Sequence, residues 1–254
     1  MRVLVVGGSG MVGTLVLPYL AERHDLVVFD LKPPAAGVSV EYRQGDLSDV
    51  PAVRRAVDGT DALLFMAMGP LAGWGSPENS RAHLDVAVTG LHTALEAAHD
   101  AGVGHAVYTS SMSVFAAPDD GPGGREPYPD ESVASDATHF YGLAKRLGEE
   151  VCRNAVLAWD MSVVALRLCH PTADAEFPRT DYPTMRTICT SARDTARALL
   201  AGLDHQGDGF QAFGISGDGA ERLVSIGKAR EVLGWAPLDR TDQVPDREPA
   251  APRP

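Results

Sequence analysis

At 254 residues the chain is long enough for one large α/β domain or two small ones, and one domain with an appendage is the expectation. Hydrophobic residues at 44% and charged residues at 22% exclude disordered, collagen-like and fibrous classes. Against 34 acidic residues stand only 22 basic ones, a net charge of −12 with no basic cluster longer than a pair, which argues against nucleic-acid binding. The three cysteines, Cys152, Cys169 and Cys189, are widely spaced and odd in number, and no secretory leader is expected. They read as reduced thiols of a cytoplasmic protein. No apolar run is long enough to span a bilayer, so no membrane partner is expected.

Val3–Val6 is a short β-branched run suited to a parallel strand buried on both faces, and it ends abruptly at Gly7-Gly8-Ser9-Gly10. From Met11 the period turns helical, with Val12, Leu15, Val16 and Leu20 on one face as far as Arg23. Leu26–Phe29 is a second strand closed by Asp30, and Pro33-Pro34 forbids its continuation. A further strand is expected around Glu41–Arg43, then Ala62–Met66, a long helix over Ser80–Ala101 and a strand over His105–Thr109. Ala116–Thr138 is rich in Pro, Gly and Asp and is expected to be a surface loop or lid. Tyr141–Trp159 is an amphipathic helix and Ser162–Leu168 a strand. The alternation of short apolar strands with longer helices predicts an α/β fold with a doubly wound parallel sheet. Its expected divisions are a Rossmann core over 1–168, a small substrate-binding portion over 169–238 and a disordered tail over 239–254, which is rich in proline and charge.

Gly7, Gly10 and Gly13 form G-x-x-G-x-x-G between the first strand and the first helix. The spacing suits a dinucleotide. The chain must turn tightly, let a pyrophosphate approach the first-turn amides of Met11 and Val12, and pack the helix close to the sheet. Glycines alone also serve plain strand-to-helix turns; the flanking strand and helix single out the cofactor reading. Asp30 ends the second strand about 20 residues on, where a carboxylate accepts from adenosine ribose hydroxyls and repels a 2′-phosphate. NAD is therefore expected over NADP. The plainer account of Asp30 is a solvated strand-end carboxylate. Asp46 and Leu47 stand where side chains reach an adenine edge, and a helix N-cap arrangement feeding Ser48 and Asp49 fits them equally.

Tyr141 and Lys145 lie four apart and share a helix face. A phenol is a poor base at neutral pH unless a neighbouring ammonium stabilises its phenolate, which is the chemical reason for such a pair. The same spacing also occurs where a packed ring merely adjoins a solvated lysine. Thr109-Ser110-Ser111 closes a parallel strand at the edge where such sheets place ligands, and can offer a hydroxyl to a substrate oxygen.

Taken in order, Gly7-x-x-Gly10-x-x-Gly13, Asp30, Ser110–Phe115, Tyr141-x-x-x-Lys145 and Ala229–Pro237 resemble the extended short-chain dehydrogenase/reductase superfamily, specifically the NAD-dependent epimerase/dehydratase family, over residues 1–238. The resemblance implies Ser111 as hydroxyl donor, Tyr141 as general acid/base, and Lys145 as the holder of the nicotinamide ribose. Helix pairs beside the sheet often make homodimers in that superfamily; an apolar stripe on the Ser80–Ala101 or Tyr141–Trp159 helix would suit one, and packing against the chain's own sheet fits such a stripe as well. Ala87 stands where the family places Asn. Met112 and Ser113 stand where sugar dehydratases carry an acidic pair, which argues against elimination chemistry. Met185–Asp194 and Phe213–Ser216 resemble the uronate dehydrogenases, although Thr184 aligns with their carboxylate-binding Arg and Arg179 and Arg186 are merely close.

The expected substrate contacts are Ser111, Met112, Ser113 and His170; for His170 a hydrogen-bonded loop role fits as well. Met66, Met68 and Met112 are candidates to line the pocket, with core filling the plainer account, above all for Met66. Arg167 is expected to serve structure, and the histidine spacings predict no metal. The expected function is hydride transfer between NAD and a small hydroxyl or carbonyl substrate. A nonreductive epimerase that retains its NAD and a noncatalytic dinucleotide sensor are the alternatives.

Overall fold

The structure, a computed structural model, describes residues 1–117, 120–121, 124–178, 185–205 and 207–243. In chain order the first half comprises β1 (Arg2–Val6), α1 (Met11–Ala21), β2 (Asp25–Asp30), β3 (Glu41–Gln44), α2 (Val50–Val57), β4 (Ala62–Phe65), α3 (Pro77–Leu84), a π-helical stretch (Asp85–Gly90), α4 (Leu91–Asp100) and β5 (His105–Ser111). The second half adds the two-residue strands β6 (Asp120–Gly121) and β7 (Gly124–Arg125), then α5 (Phe140–Trp159), β8 (Ser162–Leu168), β9 (Pro171–Thr172), β10 (Thr190–Ser191), α6 (Ala192–Asp204), β11 (Phe210–Ile215) and α7 (Gly227–Leu233).

Alternate residues of each central strand enter different cores, because successive strand side chains point to opposite faces. Val3 and Val5 of β1 pack with Val16, Leu17 and Leu20 of α1 and Leu199 and Leu203 of α6. Leu4 and Val6 pack instead with Val53 of α2, Leu91 and Leu95 of α4, and Cys152 and Ala155 of α5. With helices on both faces the strands need no polar alternation, which is why they read as unbroken apolar runs.

The seven long strands form one sheet in the order β11-β8-β5-β4-β1-β2-β3, and every pairing in it is parallel. The chain moves outward from β1 through β2 to β3, then returns to β4 on the other side of β1. That reversal opens a crevice beyond the carboxyl ends of β1 and β4, where doubly wound sheets bind ligands.

The expected start of the long helix and the expected extent of the tail are corrected, and the structure adds detail elsewhere. The helix expected over Ser80–Ala101 begins earlier, at Pro77, because Ser76 caps it by accepting from Asn79 N at 3.1 Å, and it is interrupted by the π-helical stretch. The sheet also runs past residue 168, since β11 pairs with β8 and α6 covers the sheet. The segment after Ala116 is strapped down in its described parts: Tyr128 N donates to Leu223 O, Ala137 N to Val114 O, and Ala116 N to Asp136. The tail expected from Asp239 is ordered as far as Gln243. Asp194 Oδ2 accepts from the amides of Leu238 and Asp239 at 2.7 Å each, and the Asp239 carboxylate binds Ser191 and Arg193. Residues 244–254 lie outside the described residues, as do Arg179 and Thr184.

Gly13 sits where α1 passes closest to the turn before it, and a Cβ there would stand on the Gly8 carbonyl. Gly13→Ala is expected to lower stability by about 3 kcal/mol, measured by denaturant unfolding, because backbone rather than a flexible side chain must move.

Candidate active site

The crevice holds a cavity of about 440 Å³ lined by Gly7, Gly10, Met11, Val12, Asp30, Lys32, Asp46 and Leu47 on one side and by Met66–Leu71 and Val86 on the other. Gly7 has a φ of +82°, a left-handed conformation natural only to glycine, and a Cβ on it would collide with the Ala67 backbone. Gly10 is the N-cap of α1 and supplies no side chain, so no side chain caps the first-turn amides. That end of α1 favours an anion. Gly13 does not line the cavity; it brings helix and turn together.

Asp30 is already at work on this turn. Its carboxylate accepts from Ser9 N at 2.9 Å, while the buried Ser9 hydroxyl donates to Lys32 O at 2.7 Å, tying the glycine turn to the end of β2. Each carboxylate oxygen retains acceptor capacity for a ribose hydroxyl. Asp46 lines the cavity while accepting from Ser48 N and Oγ, both at 2.8 Å. The cap of α2 is Asp49, which accepts from Ala52 N. Glycine cradle, free helix end and carboxylates thus fit a dinucleotide on this chain's own geometry.

The catalytic candidates converge at the carboxyl end of β5. Tyr141 occupies the first turn of α5, which His139 caps by accepting from Gly142 N. Burial pushes the phenol pKa above its ordinary value, and a hydrogen bond from the Ser111 hydroxyl opposes that rise. The nearby N-terminus of α5 also favours the phenolate. Lys145, one turn on, is buried, donates from Nζ to Thr109 O at 2.7 Å and lies 5.9 Å from the Tyr141 ring centre. Burial pulls its pKa down to about 8, so near neutrality it keeps its charge yet releases it readily.

The three hydroxyls at the end of β5 have separate tasks. Thr109 Oγ1 donates to Phe65 O, Ser110 Oγ donates to Glu149 at 2.7 Å, and Ser111 Oγ accepts from Ser113 N while bonding the phenol. Of the three, only Ser111 acts on the Tyr141 phenol. Met112 is buried in the core with Met66, and neither it nor Ser113 lines the cavity; Met66 fills core and lines the cavity at once. His170, at the exit of β8, has a left-handed φ of +38° and a pKa lowered by burial, and its carbonyl accepts from Thr172 Oγ1. Ala87 brings no polar group to the π-helical stretch. Arg167 serves structure: it pairs with the Glu149 carboxylate at 2.9 and 2.8 Å, both groups buried.

Sequence reasoning missed the aromatic surround of the phenol. Trp74, His83 and Phe140 form a cluster whose ring centres lie 4.9 to 5.3 Å apart, and Trp74 and His83 lie 5.4 and 5.9 Å from the Tyr141 ring. The signal was a tryptophan between glycines in the loop after a parallel strand, the position where such sheets carry site residues. Among the described residues no group of three His, Cys, Asp or Glu side chains could hold a metal, and no helix is long and apolar enough to cross a membrane.

Two outcomes are expected. Folded Lys145 releases its proton near pH 8 and the unfolded chain near 10.5, so between these values the unfolded state binds more protons and the Lys145 contribution to stability rises with pH. Denaturant unfolding across that range is expected to show this rise in the native protein and its loss in Lys145→Met. Separately, Arg167→Met leaves the buried Glu149 carboxylate with only the Ser110 hydroxyl and the more exposed Arg153 at 3.6 Å, and is expected to cost roughly 3 kcal/mol, most of it recovered in the double variant with Glu149→Leu.

Comparison with known proteins agrees with this geometry. The family described as NAD dependent epimerase/dehydratase matches residues 3–196. An NAD-dependent glucose-6-phosphate dehydrogenase of Haloferax volcanii is 28% identical over 254 residues, with 94% of each chain covered. A 3 beta-hydroxysteroid dehydrogenase/Delta 5-->4-isomerase of Mycobacterium tuberculosis is 38% identical over 134 residues, 50% of this chain and only 36% of that one. Among solved structures, a mutated uronate dehydrogenase superposes with a TM-score of 0.78 at 23% identity, covering 95% of this chain and 82% of that one. UDP-glucose 4-epimerase from Brucella ovis in complex with NAD superposes at 0.75 with 21% identity and 95% coverage of each chain. These structural likenesses speak for the fold.

Proposed function

The chain belongs to the NAD-dependent epimerase/dehydratase family and is an NAD-dependent enzyme; on that footing we propose that it transfers hydride between NAD and a small, sugar-like hydroxyl or carbonyl compound, with Tyr141 as general acid/base. The observation that carries this reading is the meeting of Ser111, the Tyr141 phenol and the Lys145 ammonium where β5 ends. When bound, NAD supplies the hydride acceptor. Tyr141 Oη takes the proton of the substrate hydroxyl as its carbon gives up hydride, and Ser111 holds the same oxygen while it becomes a carbonyl. Lys145 and the N-terminus of α5 offset the charge that the phenolate carries, against the burial that opposes it. In the reverse direction Tyr141 returns the proton.

The glycine turn, with Asp30 and Asp46, would hold the adenosine and pyrophosphate end, and Met66–Leu71 would close the other wall. Retention of both Tyr141 and Lys145 supports catalysis over a sensing role. The free, buried thiols of Cys152, Cys169 and Cys189 support a reducing, cytoplasmic setting.

The test is NAD binding by titration, followed by NADH formation with a panel of sugars, sugar acids and small alcohols. Tyr141→Phe is expected to lose about 10²–10⁴-fold in turnover while binding NAD as the native protein does. Turnover retained in Tyr141→Phe would overturn the assignment of the acid/base. Isomer formation without NADH would identify an epimerase instead.

A further inference from the structure

The loop from Met66 to Ser76 joins β4 to α3 at the carboxyl edge of the sheet and serves two places at once. Its first half lines the dinucleotide cavity, and Trp74 in its second half lies against the phenol of Tyr141, ring centres 5.4 Å apart. None of its 11 residues is charged. Trp74 is 51% exposed and Leu71 57%, an open apolar surface beside a reaction centre.

The indole is held in place before any ligand arrives. Gly73 and Gly75 flank it with φ of +72° and +83°, and Ser76 N closes the turn on Gly73 O at 2.9 Å. From α3 the buried Asn79 donates from Nδ2 to the carbonyls of Pro70 and Ala72, and Gly75 N donates to its Oδ1. Buried His83 bonds Pro70 O through Nε2 at 3.3 Å, and burial holds its pKa down, so it stays neutral beside the phenol. His83 and Phe140 meet the indole edge-on, at 5.2 and 4.9 Å. Two buried polar side chains are thus committed to presenting one half-exposed ring.

Resting on the reading of Tyr141 and Ser111 given above, we propose that Trp74 is a substrate platform: the exposed part of its indole receives the C–H face of an uncharged, ring-shaped alcohol whose hydroxyl lies at Tyr141 and Ser111. An indole attracts such faces by dispersion and through its negative ring surface. A ring fixed in advance costs little ordering on binding. A phosphate set on this loop would find no counter-charge within it, which selects against phosphorylated rings.

The experiment compares the native protein with Trp74→Ala, Trp74→Phe and Tyr141→Phe in NAD-dependent oxidation of free hexoses, cyclic alcohols and a hexose phosphate, with NAD affinity measured by calorimetry. Trp74→Ala is expected to raise KM about tenfold, corresponding to about 1.4 kcal/mol, with kcat and NAD affinity little changed, and Trp74→Phe to keep most of the native KM. Independently of activity, in the Tyr141→Phe background, which forms little NADH, the uncharged substrate is expected to quench tryptophan emission of the NAD-loaded protein but not once Trp74→Phe is added, a readout that survives if Trp74→Ala does not fold. An unchanged KM in Trp74→Ala, an equal quench in Trp74→Phe, or preference for the hexose phosphate would overturn the platform. Turnover retained in Tyr141→Phe would instead sink the catalytic reading, so the two failures are told apart.

Discussion

Every strand of the seven-stranded sheet runs the same way, and this constraint governs the rest of the molecule. Parallel strands can be joined only by crossovers that pass over a face, so both faces are covered by helices and each strand delivers its carboxyl end to one edge. The glycine turn after β1, Asp30 ending β2, the loop after β4 and the hydroxyls closing β5 are far apart in sequence. They meet because each follows or ends a strand at that edge. The reversal of strand order beside β1 then separates the loops and leaves room for a ligand between them.

The same edge requires polar groups inside an apolar body, and the structure joins several of them in one linked set. Lys145 donates a hydrogen bond to Thr109 O, Ser110 donates one to Glu149, and Glu149 accepts from Nε and Nη2 of Arg167. β5, α5 and β8 are thereby held in one arrangement beneath the phenol. Such a buried pair adds little net stability, since desolvation offsets most of the attraction, but breaking it leaves a charge stranded. Its effect is geometric: α5 cannot slide along β5 without losing hydrogen bonds, and Tyr141 and Lys145 ride on α5. Arg167 also stacks on Phe115, 4.9 Å from its ring centre, which extends the arrangement to the segment after Ser111.

Much of this was legible in the residues. β-branched runs ending at glycine or aspartate marked the strands, because a strand buried on both faces needs no polar alternation. Gly7 and Gly13 were legible because close backbone approach and helix packing restrict those positions to glycine. The Tyr141–Lys145 spacing was legible because a helix turns in a known number of residues. The long helix was not legible at its start, since Ser76-Pro77 lies outside the apolar period set by Leu84, Val88 and Leu91. The ordered part of the tail was missed for a related reason: Asp239 is held through Asp194 and Arg193, contacts between residues more than 40 apart that no local pattern records.

By itself the sequence determined the parallel α/β class, the glycine turn and the helical spacing of the proposed Tyr141–Lys145 pair, because each depends on short-range spacing and on backbone freedom. Only the tertiary structure decided that Thr109 and Ser110 are committed to Phe65 O and Glu149, that Glu149 and Arg167 pair beneath the phenol, and that Trp74 lies across it. Those outcomes depend on which side chains from distant strands and helices share a few ångströms of buried space. Such neighbours are chosen by packing and by the need to pair every buried polar group, and neither leaves a periodic mark along the chain.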